Sequence, residues 1–353
     1  MPGTGAAVRV PACLCALACA MAVLVSVGGC GSSANRPDRG GRAKPAESFW
    51  VNPQGTAARQ VRQWQRQGRV REAESIKRIA DHPVAEWFAR PRPGPRARAL
   101  VEAAARQRRT ALFVAYEIPH RDCGQYSTGG APDAVAYRRW IDELAAGIGD
   151  HSATVVLEPD AVAHMVDGCT HAAFHEERYE LLAYAVRRLK RQPATKVYLD
   201  AANSSWIPDP DRMVGPLQRA GVADADGFAV NVANFETTEA SRSYGHLLSG
   251  ALDGAHFVID TSRNGNGPAP RSRLREAWCN PPGRALGTPP TTDTGDPLVD
   301  AFLWIKRPGD SDGQCRGGPP AGQWWPDYAL GLTRDARNGK SEQDGSSGRA
   351  EAG

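Results

Sequence analysis

Six apolar runs of β character punctuate this chain, and each ends at or just before a polar or charged group. The runs are LFVAYEIP, TVVLEPD, KVYLDAAN, GFAVNVAN, HFVIDTSRN and AFLWIKRPGDSDG. Asp122, Asp160, Asp200, Asn231, Arg263, Lys306 and Asp312 mark where they stop. Short runs rich in β-branched residues predict strands at 112–118, 154–158, 196–200, 227–231, 256–260 and 301–306. Helical periodicity fills most of the gaps, at 133–148, 172–190, 211–220 and 237–252. A helix at 56–81, interrupted near Gly68, precedes the series. Another at 325–333 follows it and is expected to pack on the first strand. The prolines of RPRPGPR (90–96) predict a loop. Residues 264–297 form a long Pro/Gly-rich loop of the kind that is usually functional. Strands alternating with helices predict an α/β fold, a (β/α) barrel in a single catalytic domain with its chemistry at the C-terminal rim of the strands.

Composition narrows this picture. With 353 residues, 41% of them hydrophobic, the chain has ample material for one barrel core. The net charge of +4 is spread over scattered Lys and Arg, so nucleic-acid binding is not implied. Arg9 is the only charge in residues 1–29, and an apolar segment runs from Val10 to Val27 before Gly28-Gly29-Cys30. That reads as a secretory signal over 1–30. The small residues before Cys30 resemble a bacterial lipoprotein site, with Cys30 as the lipidated first mature residue. Ordinary secretion and an uncleaved anchor are the alternatives. The expected organisation is a tether at 31–46, a catalytic domain at 47–333 and a polar tail at 334–353. Only the N-terminal anchor would touch a membrane, and the protein is expected to be a cell-surface monomer. Four cysteines remain in the domain: Cys123, Cys169, Cys279 and Cys315. In an exported protein they suggest two disulfides, with three connectivities open. The absence of a CxxC pair makes zinc a weak rival.

A rim with several aspartates and no metal or phosphate motif suggests carboxylate acid/base chemistry. In LEPD, Pro159 ends the strand and leaves Asp160 beside buried apolar surface, where desolvation raises a carboxyl pKa as a general acid requires. The competing reading is that Asp160 caps the helix starting at Ala161. Asp122 would hold a proton on a neighbouring carboxyl, or be a surface Asp paired with Arg121. Asp310 and Asp312 sit in PGDSDG, which reads as a flexible turn, a weak calcium loop or a mobile proton acceptor.

Over about Phe49 to Leu332 the chain resembles glycoside hydrolase family 6, the cellulases that cleave β-1,4-glucan with inversion. The matching segments are YEIPHRDCGQYSTGG (116–130), VVLEPDAVAHM (155–165), VYLDAANSSW (197–206), FAVNVANF (228–235), VIDTSRNGNGP (258–268), WCNPPGRALG (278–287), TGDPLVDAFLWIKRPGDSDG (294–313) and AGQWWPDYALGL (321–332). The resemblance implies a distorted barrel, a β-glucan substrate and no cofactor or metal. It implies Asp160 as general acid, Asp122 as the carboxylate that raises that acid's pKa, and Asp312 as base or proton acceptor. Tyr116 would lie under the distorted sugar, and Trp206 and Trp278 would stack on sugars. Lys306, Arg263, Asn231 and Asp310 would bind hydroxyls or orient the base, and Asp200 would be structural. It also implies the sequential pairs Cys123–Cys169 and Cys279–Cys315.

Two positions depart from the family pattern. Ala202-Asn203 replaces the usual Gly-His, so an amide stands where the family has a substrate-binding imidazole. Thr128 stands where a Ser usually positions the water chain, and it keeps the hydroxyl. An inverting site needs its two carboxyls roughly 6.5–9.5 Å apart. The short loops predict an open cleft and attack on internal bonds. Alternatives are a hydrolase of another β-glucan or envelope polysaccharide, or a surface glucan-binding protein with weak catalysis.

Overall fold

The computed structural model describes residues 48–270 and 276–335. The expected signal segment, Cys30, the tether and most of the tail lie outside the described residues. Two amphipathic helices come first, α1 (Thr56–Arg66) and α2 (Val70–Ala80), broken at Gly68 as expected. Seven strands follow: β1 (Glu86–Phe88), β2 (Ala111–Ala115), β3 (Ala153–Leu157), β4 (Thr195–Asp200), β5 (Gly227–Val230), β6 (Phe257–Asp260) and β7 (Val299–Leu303). They pair in chain order, every neighbour parallel. Between them run α3 (Pro93–Arg106), α4 (Ala134–Ile148), α5 (Ala163–Val166), α6 (His175–Leu189), α7 (Asp211–Arg219) and α8 (Thr238–Ala251), and α9 (Pro326–Asp335) closes the series.

Side chains alternate along the strands, and both sheet faces are buried. Leu112, Val114, Val156, Tyr198, Ala229, Val258, Ala301 and Leu303 point to one core inside the curled sheet. Phe113, Val155, Leu157, Val197, Leu199, Phe228, Val230 and Ile259 point outward to the second, larger core beneath the helices. The fit is tight at α8, where a Cβ on Gly245 would come 2.2 Å from the Phe257 ring, so glycine lets this helix approach β6. The seam between β1 and β7 carries no strand ladder among the described residues. It is drawn together by Ala85 N–H donating to the Trp304 carbonyl at 3.0 Å and the Trp87 indole donating to the Ile305 carbonyl at 2.8 Å. The barrel is therefore distorted, its strand ladder left unclosed between β1 and β7 among the described residues.

Three expectations need correction. Residues 90–96 are not all loop, because α3 starts at Pro93. A proline in the first helical turn has no N–H to lose and has the right φ, so RPRPGPR is a helix start. Strand β1 precedes the first expected strand. And α9 packs on α2 in a third core with Trp64, Ile76, Ile79 and Trp304, away from β2.

Candidate active site

The strand ends are stitched together by buried carboxylates. Glu158, just past β3, takes the backbone N–H groups of Glu117 and Ile118 beyond β2, each at 3.0 Å. Asp200, ending β4, takes the Asp160 N–H at 2.9 Å. Asp260, ending β6, takes Ala233 N–H beyond β5 and Lys306 N–H beyond β7, both at 2.9 Å. Each carboxylate thus fixes the backbone leaving an adjacent strand. Asp200, expected to be structural, is placed where it clamps the backbone at Asp160. Glu158 and Asp260 were missed, because their partners are main-chain groups far away in sequence. Burial raises all three carboxyls above the usual range, Glu158 to about 7.

Asp160 sits at the rim, half-buried, with φ of 70°. That left-handed conformation turns the chain sharply after Pro159, and Asp tolerates it better than most residues. The capping reading fails: the cap residue of α5 is Val162 and makes no side-chain hydrogen bond. Instead the Asp160 carboxyl faces a cleft of about 1240 Å³ and receives the Tyr116 hydroxyl on Oδ2 at 3.4 Å. Burial, then the nearby charge of Asp122, pushes its pKa up to about 7. Tyr116 is itself pushed well above 10, first by burial and then by the two aspartates. Its ring lies beneath the Arg121 guanidinium at 4.4 Å and edge-on to Trp87 at 5.3 Å.

Asp122 does not pair with Arg121, which binds the Glu117 carboxylate and the Ser127 and Tyr116 carbonyls. Asp122 Oδ2 is held by Ser127, through its N–H at 2.7 Å and its hydroxyl at 2.8 Å. The same Ser127 hydroxyl lies 3.0 Å from the Tyr116 hydroxyl. Ser127, which sequence reasoning passed over, therefore links Asp122 to Tyr116 and on to Asp160. Thr128 lines the cleft next to it, exposed. Cys123, adjacent to Asp122, is bonded to Cys169, and Cys279 to Cys315, the sequential pairing. His164 lies close to the first pair, but both sulfurs are consumed, so this trio is not a metal site.

Across the cleft Asp312 has the opposite environment. Its Oδ2 accepts from Arg263 at 2.8 Å and from Asn280 N–H at 2.9 Å, and Lys306 Nζ stands 2.8 Å from Oδ1. Burial alone would raise this carboxyl, but Arg263 and then Lys306 outweigh it and hold the pKa at about 2. The Asn280 amide reciprocates, accepting the Asp312 N–H at 2.8 Å, and so pins PGDSDG as an ordered turn. Asp310 is paired with Arg307 and its carboxyl is raised by burial.

The expected sugar contacts divide. Trp206, Trp278, Lys306, Asp310 and Tyr116 all line the cleft. Asn231 does not belong among them. It is fully buried, both N–H of its NH₂ donate to the Glu236 and Asp260 carbonyls, and its Oδ1 accepts the Glu236 N–H, so burial keeps it from a ligand in the cleft. Arg263 is likewise wholly buried, over the Phe235 ring at 4.3 Å, and acts on Asp312 and not on sugar. Asn203, where the family pattern breaks, builds a turn: its Oδ1 accepts from Ser205 N–H, Ser205 hydroxyl and Trp206 N–H at 3.0–3.1 Å. The Trp206 indole then donates to Asp167 at 2.9 Å, so both ends of this tryptophan are fixed. Trp278 meets Tyr126, its ring 6.0 Å away on the loop after β2, so side chains from two walls touch across the cleft.

The profile of the glycosyl hydrolases family 6 matches residues 44–336. Endoglucanase A of Thermobispora bispora is 44% identical over 298 residues, 82% of this chain and 62% of that protein. Endoglucanase A of Cellulomonas fimi is 40% identical over 298 residues and is likewise matched over 62% of its length, so the chain spans about three fifths of these two relatives. Endoglucanase 1 of Streptomyces halstedii is 39% identical, with 80% of this chain and 87% of that protein matched. Among solved structures, the endoglucanase Cel6 from Mycobacterium tuberculosis, in complex with methyl-cellobiosyl-4-deoxy-4-thio-β-D-cellobioside, is 42% identical and superposes with a TM-score of 0.77. That match covers 82% of this chain and 98% of the other.

Proposed function

This chain belongs to glycosyl hydrolase family 6, and from that membership we propose that it hydrolyses internal β-1,4-glucosidic bonds of cellulose or a related β-glucan with inversion. The observation that carries the mechanism is the pair of unlike aspartates, Asp160 enclosed beside Asp122 and the Tyr116 hydroxyl and lifted to about 7, Asp312 clasped by Arg263 and Lys306 and held at about 2. Near neutral pH a large share of Asp160 still carries its proton while Asp312 is ionised. Asp160 gives its proton to the glycosidic oxygen as the bond from that oxygen to the anomeric carbon breaks. Water adds from the opposite face, so the new C–OH bond has inverted configuration. At a pKa of about 2 Asp312 is a weak base, and its proton transfer comes late, once the attacking water is acidified by bonding to carbon. Earlier in the step its fixed charge stabilises the positive charge growing on the sugar. Asp122, tethered by Ser127, keeps the proton on Asp160. A carboxyl separation of roughly 6.5–9.5 Å is expected of this arrangement.

Trp206 and Trp278 would stack on sugar faces on either side of the reacting ring. Attack on internal bonds is supported by the endoglucanases among the relatives. The two disulfides support export. Lipidation at Cys30, with the enzyme held as a monomer at the cell surface, is proposed from the sequence alone. Product analysis on a β-glucan panel, with anomeric configuration followed by NMR, tests the reading. An α-anomeric first product and falling viscosity of soluble cellulose are expected; a β-anomeric product would sink the mechanism.

A further inference from the structure

One wall of the cleft carries charge that the hydrolytic steps leave unused. The segment after β1 holds Arg90, Arg92 and Arg96, with no acidic residue between Glu86 and Glu102. All three arginines line the cleft beside Trp87. Arg96 is compensated, paired with Glu86 and lying over the Phe88 ring at 4.6 Å. Arg90 and Arg92 are exposed and have no carboxylate partner among the described residues. Arg92 is also the cap residue of α3, whose first turn contains no acidic side chain, so the positive end of that helix adds to the same field. Other parts of the lining carry acidic side chains, with Asp167 bonded to the Trp206 indole and Glu276 two residues from Trp278. Neutral glucan gives no reason for such a division. Hydroxyls are satisfied by uncharged donors, whereas guanidinium groups pair with planar anions in a bidentate fork.

We propose that the β1 side of the cleft takes a carboxylate-bearing sugar, so that acid-substituted β-1,4-glucan is a preferred substrate class. The inference rests on the glucanase reading above. In it, Arg90 and Arg92 engage the substituent and leave the sugar backbone to the rest of the cleft.

The test uses cello-oligosaccharides of one length, neutral or oxidised to a carboxylate at C6 of one terminal residue, each terminus in a separate sample. For the wild type, kcat/KM on one of the two oxidised compounds should exceed that on the neutral compound about tenfold at low salt, the worth of one charge-assisted contact. Raising the salt should shrink the advantage. Arg90→Ala/Arg92→Ala should abolish it, with the rate on neutral oligosaccharide within about twofold of wild type. Arg90→Lys/Arg92→Lys should keep part of it. Neutral hydrolysis with no preference for either oxidised compound, or a preference that survives the double Ala variant, overturns this inference alone. Failure of the wild type on the neutral compound overturns the glucanase reading itself.

Discussion

Asp160 and Asp312 are aspartates on loops that leave parallel strands of one sheet, and both are largely enclosed by protein. Their neighbours set them apart. Asp160 faces another carboxylate and a tyrosine hydroxyl, with no cation in contact, and is lifted to about 7. Asp312 is clasped by Arg263 and Lys306 and falls to about 2. Burial pushes both the same way, so the contrast comes from the neighbouring charges, a carboxylate near Asp160 and two cations at hydrogen-bonding distance from Asp312. A strand-end aspartate is therefore not yet an acid or a base. The groups beside it supply that distinction.

The largest expected effect breaks the acid side. Asp160→Asn keeps shape and removes the proton, so turnover on cello-oligosaccharides should fall by about 10²–10⁴ with ligand affinity largely kept. An aryl glycoside with a good leaving group should lose much less. Near-wild-type turnover on the oligosaccharide would remove Asp160 from the role of acid. In the wild type, the basic limb of the rate profile should lie near pH 7, where Asp160 loses its proton. The ionisation of Asp312, near pH 2, should lie below the working range.

The matching change on the other side acts on stability. Asp312→Asn leaves Arg263, wholly buried, without its counter-charge, and should cost about 3–5 kcal/mol in denaturant unfolding. Adding Arg263→Met should recover part of that loss, because the uncompensated charge leaves with it. Asp312 supplies its stabilisation above its unfolded pKa of about 4 and loses it as pH falls toward 2. The deficit of Asp312→Asn should therefore vanish in strong acid.

Asp160→Asn should do the reverse. A carboxyl whose folded pKa lies above its unfolded value binds its proton more tightly when native, so its ionisation erodes stability as pH climbs from about 4 to about 7. The variant should be about 1–3 kcal/mol more stable than wild type at pH 8, with little difference at pH 4. Equal offsets at both pH values would mean that Asp160 is not strained by its charge. One substitution that destroys turnover and raises stability, beside another that lowers stability, is what a tuned acid and a clamped carboxylate should give.

How far this contrast is visible in the sequence depends on the kind of contact involved. Six of the seven strands stand out because both faces are buried and the runs are uninterrupted; Glu86–Phe88 does not, being three residues long with mixed burial. The start of α3 is hidden by prolines that look like loop. Asp122, Asp160 and Asp312 are legible through motif and strand end. Their environments are not: Asn280, Ser127, Glu158 and Asp260 act through hydrogen bonds to groups that only the closed sheet brings near. Asn231 misleads for the same reason, since its position at a strand end says nothing of the two carbonyls that consume its amide.

The smallest effect separates geometry from charge on the acid side. Ala202 has φ of 62°, where a Cβ costs about 1–2 kcal/mol, and its carbonyl accepts the Asn231 N–H at 2.8 Å. Ala202→Gly relieves that strain, while the freer unfolded chain takes back roughly 0.5–1 kcal/mol. A net gain of about 0.5 kcal/mol is expected, with Tm rising about 1–2 °C. Because no charge changes, the basic limb near pH 7 should stay in place. A limb that moves with this substitution would mean that the turn after β4 sets the acid's pKa through the Asp200 contact to Asp160, and the charge contrast between the two walls would no longer suffice to explain it.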